Sequence, residues 1–177
     1  MSARFRARFG SAWTWVQNVL SLWVVVAGVG WGSPGQVLVA TLAGLALIGV
    51  GGLLGLAGVR SLGSQRTTGP ALPPGAILVT RGNYARVRHP LYGGLMLSTL
   101  GWSIFWESRC ALGAALVLAA VLKRKSMLEE AHLRERFADY AEYAGRVPGF
   151  FPKFNLKPAV QRRRDAPKLE RQKSDES

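Results

Sequence analysis

The chain has one cysteine, Cys110, and two histidines, His89 and His132, in 177 residues. A single thiol excludes an internal disulfide framework and any cysteine-rich metal site, and leaves Cys110 as a small apolar residue of a helix. Acidic residues are scarce too: ten against 23 basic ones, a formal net charge of +13. Charge of either sign is missing from "WTWVQNVLSLWVVVAGVGW" (13–31) and from "QVLVATLAGLALIGVGGLLGLAGV" (36–59). Each stretch is long enough to cross a hydrocarbon core of about 30 Å at roughly 1.5 Å per residue. Such a distribution belongs to a membrane protein and not to a soluble nucleic-acid binder. The basic residues, the "QRRR" of the tail included, are read as attracted to anionic membrane lipids.

Two shorter apolar runs, Leu91 to Trp106 and Cys110 to Leu122, are separated only by "ESR" and read as a tight helical hairpin. Arg4, Arg6 and Arg8 before the first run resemble the start of a secretory signal, but the length of that run, with Gln17 and Asn18 inside it, marks a retained span. Basic residues fall on alternate sides of the apolar runs. The positive-inside rule then places both termini and the 60–90 connection in the cytoplasm, with about four crossings of a bacterial inner membrane. The expected architecture is an all-α integral membrane domain over residues 1–154, with about four transmembrane helices and a cytoplasmic helical extension. Residues 155–177, polar and mixed in charge, are expected to form a basic, disordered cytoplasmic tail. Glycines 44, 49, 51, 52, 55 and 58 give the second run small faces, read as a site of close packing within the chain.

Polar chemistry gathers in two places. "TTGPALPPGAILVTRGNYARVRHP" (67–90) has two proline-glycine clusters that forbid a continuous helix, with "AILVT" extended between them. "KRKSMLEEAHLRERFADYAEYAGRVPGFFP" (123–152) carries a helical apolar stripe, Met127, Leu128, Leu133 and Phe137, and is expected to prolong the last helix to just short of Gly145. Both segments belong to one membrane face. Tyr84, Arg86, Arg88, His89 and Tyr92 can therefore meet Glu129, Glu130, Tyr140, Tyr143 and Arg146 above the apolar helices. Glu129 and His132 make a Glu-x-x-His pair, but a di-iron carboxylate site needs two such pairs and further glutamates, so no metal is assigned. Ser98 and Ser103 lie in an apolar helix where each can bond back to its own backbone, which sets aside a serine nucleophile.

"GNYARVRHPLYGG" (82–94), an apolar hairpin, then "EEAHLRERFADYAEYAGRVPGFFP" (129–152) resembles the isoprenylcysteine carboxyl methyltransferase family, which shares its His-Pro-x-Tyr and Glu-Glu features with phospholipid N-methyltransferases. The resemblance covers about residues 76–154. It implies S-adenosyl-L-methionine as methyl donor, held between residues 76–94 and 123–154 by Ile77, Leu78, Val79, Tyr84, His89, Pro90, Leu91 and Tyr92 on one side and by Glu129, with its pair Glu130, on the other. Arg88 and Lys125 are the cations expected at the catalytic centre, Lys125 from the resemblance and Arg88 as a basic group suited to the donor's anionic end. Lys125 stands where the family has an arginine for the substrate carboxylate, and lysine lacks the planar bidentate fork. The acceptor implied is a lipophilic or prenylated carboxylate dissolved in the membrane, with a phospholipid amine as the alternative. On the helix, Glu130 lies about 100° from Glu129 and is expected to face away from the donor. The strand-glycine-loop-helix nucleotide site of soluble methyltransferases is not seen in this sequence.

Overall fold

The computed structural model describes residues 3–63 and 77–152. The proline-rich half of the second connection and the basic tail lie outside the described residues. Within them the chain forms α1 (Ala3–Trp31), α2 (Leu38–Leu62), a 3-10 turn (Gly82–Ala85), α3 (Pro90–Phe105), α4 (Arg109–Arg136) and α5 (Tyr140–Arg146), with no strand among the described residues.

Local chemistry sets the boundaries. Pro90 opens α3 at a position where no backbone N–H is needed. At the far end of α3 the chain reverses through Glu107, whose φ of 51° lies in the left-handed region. Its carboxylate accepts a bond from Val37 N–H at 2.9 Å, which ties the turn to the start of α2. Ser108 caps α4 by accepting from Ala111 N–H, and its hydroxyl donates to Ala27 O of α1 at 2.9 Å.

Packing divides the helices into two pairs. α1 lies along α4, α2 lies along α3, and α3 touches both pairs. Val24 and Ala27 of α1 meet Ala111 and Ala115 of α4 in a fully packed cluster against Trp102. The α2–α3 seam is made of glycine. A Cβ on Gly51 would lie 2.6 Å from Gly94 O, and one on Gly94 would lie 2.6 Å from Gly51 O, so backbone meets backbone there. The face of α2 that carries Gly44, Gly51 and Gly58 thus serves packing within the chain, while a Cβ on Gly49, Gly52 or Gly55 would meet nothing within 4 Å.

The outer faces are apolar and exposed, including Trp15, Val19 and Leu22 on α1 and Leu38, Val39 and Leu53 on α2. Ala12–Trp31 and Leu38–Leu62 are long and apolar enough to cross a membrane. α3 has only 16 residues, short of the roughly 20 a spanning helix needs, and α4 carries Lys123 and Arg124 directly after its apolar half. The anticipated extension is also not one helix. It breaks at Phe137, which is extended (φ −122°, ψ 113°), and resumes as α5. The break folds α5 back, so that Tyr140 and Tyr143 are buried and the Tyr143 hydroxyl donates to Tyr84 O at 2.6 Å.

Candidate functional site

Arg88 links three pieces of chain. Its backbone N–H donates to Pro148 O at 2.9 Å and the next one, of His89, to Gly149 O at 2.8 Å, so the segment after α5 runs beside the entry to α3. Its Nη1 donates to Ala144 O and Val147 O, both at 2.6 Å. These carbonyls belong to the C-terminal end of α5, where acceptors lack partners inside the helix and cations are favoured. Its Nε and Nη2 meet Glu130 Oε1 at 3.0 and 2.9 Å.

Glu130 is the hub of this network. It is 8% exposed. Besides Arg88, its Oε1 is 3.0 Å from His89 Nε2, and its Oε2 takes a bond from Arg134 Nη2 at 3.2 Å. The hydrogen bond from His89, helped by the Arg88 charge and opposed by burial, pulls its carboxyl down to about 2. Both of its oxygens are engaged by the protein. The 100° between neighbouring glutamates does separate them, but it is Glu130 that turns into the fold.

Glu129 is the more open of the two, its side chain 34% exposed. Its Oε1 accepts from the Tyr92 hydroxyl at 2.5 Å, while Oε2 has His89 Nδ1 at 3.9 Å, beyond hydrogen-bond range. The His89 ring lies between Tyr92, stacked at 5.6 Å, and Phe150 at 5.7 Å. Tyr84 is pushed up to about 12, by burial first and by the negative charge of Glu129 second. Lys125, one turn before Glu129, places its Nζ 5.2 Å from the Tyr92 ring centre. Burial lowers its pKa and Glu129 works against that.

Of the residues singled out in the sequence, Tyr84, Arg88, His89, Tyr92, Lys125, Glu129 and Glu130 therefore share one polar cluster. Pro90 is buried beside Gly58 of α2, and Leu91 is half-buried. Ile77 is exposed, while Leu78 and Val79 are half-buried. Arg86 is exposed, and Arg146 is exposed and pairs with Glu142 on its own helix. His132 is exposed and bonds to Leu128 O one turn back. Among the described residues no three potential metal ligands cluster. Sequence reasoning missed Arg134, the Phe150 ring over His89, and Thr14 and Gln17, which accept from Lys125 Nζ at 3.4 and 2.9 Å. Gln17 had a signal, an amide inside a charge-free stretch; Phe150 had none.

Residues 39–140, from α2 to the first residue of α5, match the phospholipid methyltransferase family. The chain belongs to that family. The matched span contains Arg88, His89, Tyr92, Lys125, Glu129 and Glu130, and leaves out Thr14, Gln17, Tyr143, Val147 and Phe150. Among curated proteins the chain is 42% identical over 81 residues to a cobalt-zinc-cadmium resistance protein of Cupriavidus metallidurans, covering 45% of this chain and 37% of that one. It is 40% identical over 81 residues to a nickel-cobalt-cadmium resistance protein of Alcaligenes xylosoxydans xylosoxydans (45% and 38%). It is 34% identical over 80 residues to protein-S-isoprenylcysteine O-methyltransferase B of Arabidopsis thaliana (44% and 41%). The chain thus spans about two fifths of the length of these relatives. The isoprenylcysteine methyltransferase resemblance read from the motifs is supported by the last of them, and the apolar α1 and α2 accord with a membrane-associated member of the family.

Proposed function

We propose that this protein transfers a methyl group from S-adenosylmethionine to a lipophilic acceptor dissolved in the membrane, with a carboxylate oxygen as the methylated atom. The observation that carries the reading is Glu129, a partly open carboxylate fixed by Tyr92 and bordered by aromatic faces. The donor set fits the cofactor: Glu129 suits its cationic groups, Lys123 suits its carboxylate, and the rings of Tyr84, Tyr92 and Phe150 suit a flat base. When bound, S-adenosylmethionine supplies an electrophilic methyl group on a sulfonium.

The chain's own contribution is placement. Arg88, His89 and Glu130 hold the entry to α3 against α5, and Tyr92 orients Glu129. For an in-line displacement, alignment of the two reactants can supply about 7–11 kcal/mol of the barrier. A carboxylate acceptor needs no proton removed, so no general base is assigned. In this reading α3 and the apolar half of α4 form a hairpin in the membrane beside α1 and α2. The Arg-rich connection, the glutamates and both termini face the cytoplasm, in a bacterial inner membrane.

Two measurements test it. Calorimetry on detergent-solubilised protein is expected to show binding of S-adenosylhomocysteine; folded protein with no binding at millimolar ligand would leave a non-enzymatic scaffold as the better account. Methyl label from the donor is expected in base-labile ester. Label found only in base-stable derivatives of phosphatidylethanolamine would replace carboxyl by amine methylation.

A further inference from the structure

Lys125 is held by α1. An ammonium has three hydrogens to place. One goes to Gln17 Oε1 at 2.9 Å and one to Thr14 Oγ1 at 3.4 Å, and the Tyr92 ring lies 5.2 Å away. All three partners are neutral. Among the described residues no carboxylate comes within ion-pair distance of Lys125; Glu129, one turn on, acts on it only from farther off, with its Oε1 bonded to Tyr92. Thr14 and Gln17 are three residues apart and so share a face of α1. Neutral acceptors satisfy the ammonium's hydrogens without cancelling its charge, which leaves its attraction for an anion intact. A lysine also needs such support, since its flexible stem and point charge do not fix a direction as an arginine fork does.

We propose that Gln17 and Thr14 are positioning residues for acceptor recognition: they hold Lys125 over Tyr92 so that its remaining N–H meets the carboxylate or phosphate of a lipophilic anion lying against α1. This rests on the methyl-transfer reading above. It adds to the site a helix that lies outside the span matched to the family.

The test uses the full chain in detergent with Gln17→Glu, Gln17→Leu and Thr14→Val. Farnesylated N-acetylcysteine and phosphatidylethanolamine vesicles serve as the carboxylate and phosphate probes. Gln17→Glu pairs with Lys125 and is expected to raise the acceptor KM at least tenfold, while kcat changes less than threefold and affinity for S-adenosylhomocysteine is unchanged. Gln17→Leu and Thr14→Val raise the acceptor KM several-fold. The acceptor whose KM responds tells carboxylate from phosphate. Independently of turnover, competitive acetylation read by mass spectrometry at mildly alkaline pH is expected to find the Lys125 amine more reactive in Gln17→Leu and less reactive in Gln17→Glu. Unchanged reactivity in both variants overturns the α1–Lys125 link. Altered reactivity with an unchanged KM for both acceptors overturns the acceptor role while methyl transfer stands. If the wild type methylates neither probe, the methyl-transfer reading fails and the acceptor role with it, and the acetylation pattern alone decides whether α1 positions Lys125.

Discussion

Two adjacent glutamates divide their labour by the side of the helix each occupies. Glu129 meets solvent, so Glu129→Gln is expected to leave thermal stability within about 0.5 kcal/mol but to weaken donor binding by roughly 1.5–3 kcal/mol, about ten- to a hundredfold, in calorimetry. Glu130→Gln does the reverse. It leaves Arg88 and His89 facing an uncharged amide in a buried network, and a loss of about 1.5–3 kcal/mol of stability is expected in thermal unfolding. The same residue sets the acid limit. Its carboxyl is depressed from 4.5 to about 2 in the folded protein, so its contribution is complete above about 4.5 and is lost as pH falls towards 2. Tyr84, Tyr140 and Tyr143, all pushed up to about 12 chiefly by burial, set the alkaline limit. They favour the fold fully below about 10, and that contribution fades as pH rises from 10 to 12. Unfolding temperatures measured across pH are expected to fall at both ends, with the acid slope flattened in Glu130→Gln.

At the scale of helices, the α2–α3 seam makes a sharp forecast. Gly51→Ala or Gly94→Ala drives a methyl into facing backbone and is expected to cost about 1–3 kcal/mol in detergent melts. Gly49→Ala meets nothing within 4 Å and should gain up to about 1 kcal/mol from helix propensity. All six glycines of α2 look alike in the sequence, because the face that meets a neighbour depends on where α3 lies. Elements with a strong local signature were legible: the long charge-free stretches of α1 and α2, the proline start of α3, and the cluster around "RHPLYGG". The break at Phe137 was not, since neither proline nor glycine marks it; burial of Tyr140 and Tyr143 against distant chain decides it. The role of Glu130 as a hub was hidden for a related reason. Helix periodicity gives the angle between two glutamates but not which one meets Arg88 and His89, some 40 residues earlier in the chain.

At the scale of the molecule, the proposed orientation puts the turn around Ser33 and the start of α4 outside the cell and Arg146 inside. Ser108 is buried and useless as a reporter. In a Cys110→Ser background, Ser33→Cys and Arg109→Cys are expected to react with an impermeant thiol reagent in intact cells, whereas Arg146→Cys should react only after lysis. Labelling of Arg146→Cys in intact cells would separate the Glu129 face from the cytoplasm. The Arg88 clamp also has a meaning in time. Its carbonyl partner Val147 lies 59 residues further along the chain. At a synthesis rate of roughly 5–20 residues per second, Arg88 leaves the ribosome about 3 to 12 s before that partner does. The α3–α4 hairpin is made in that interval. The polar cluster therefore cannot close until that hairpin has been made, and a nascent chain cannot seal its site ahead of the helices that are to support it.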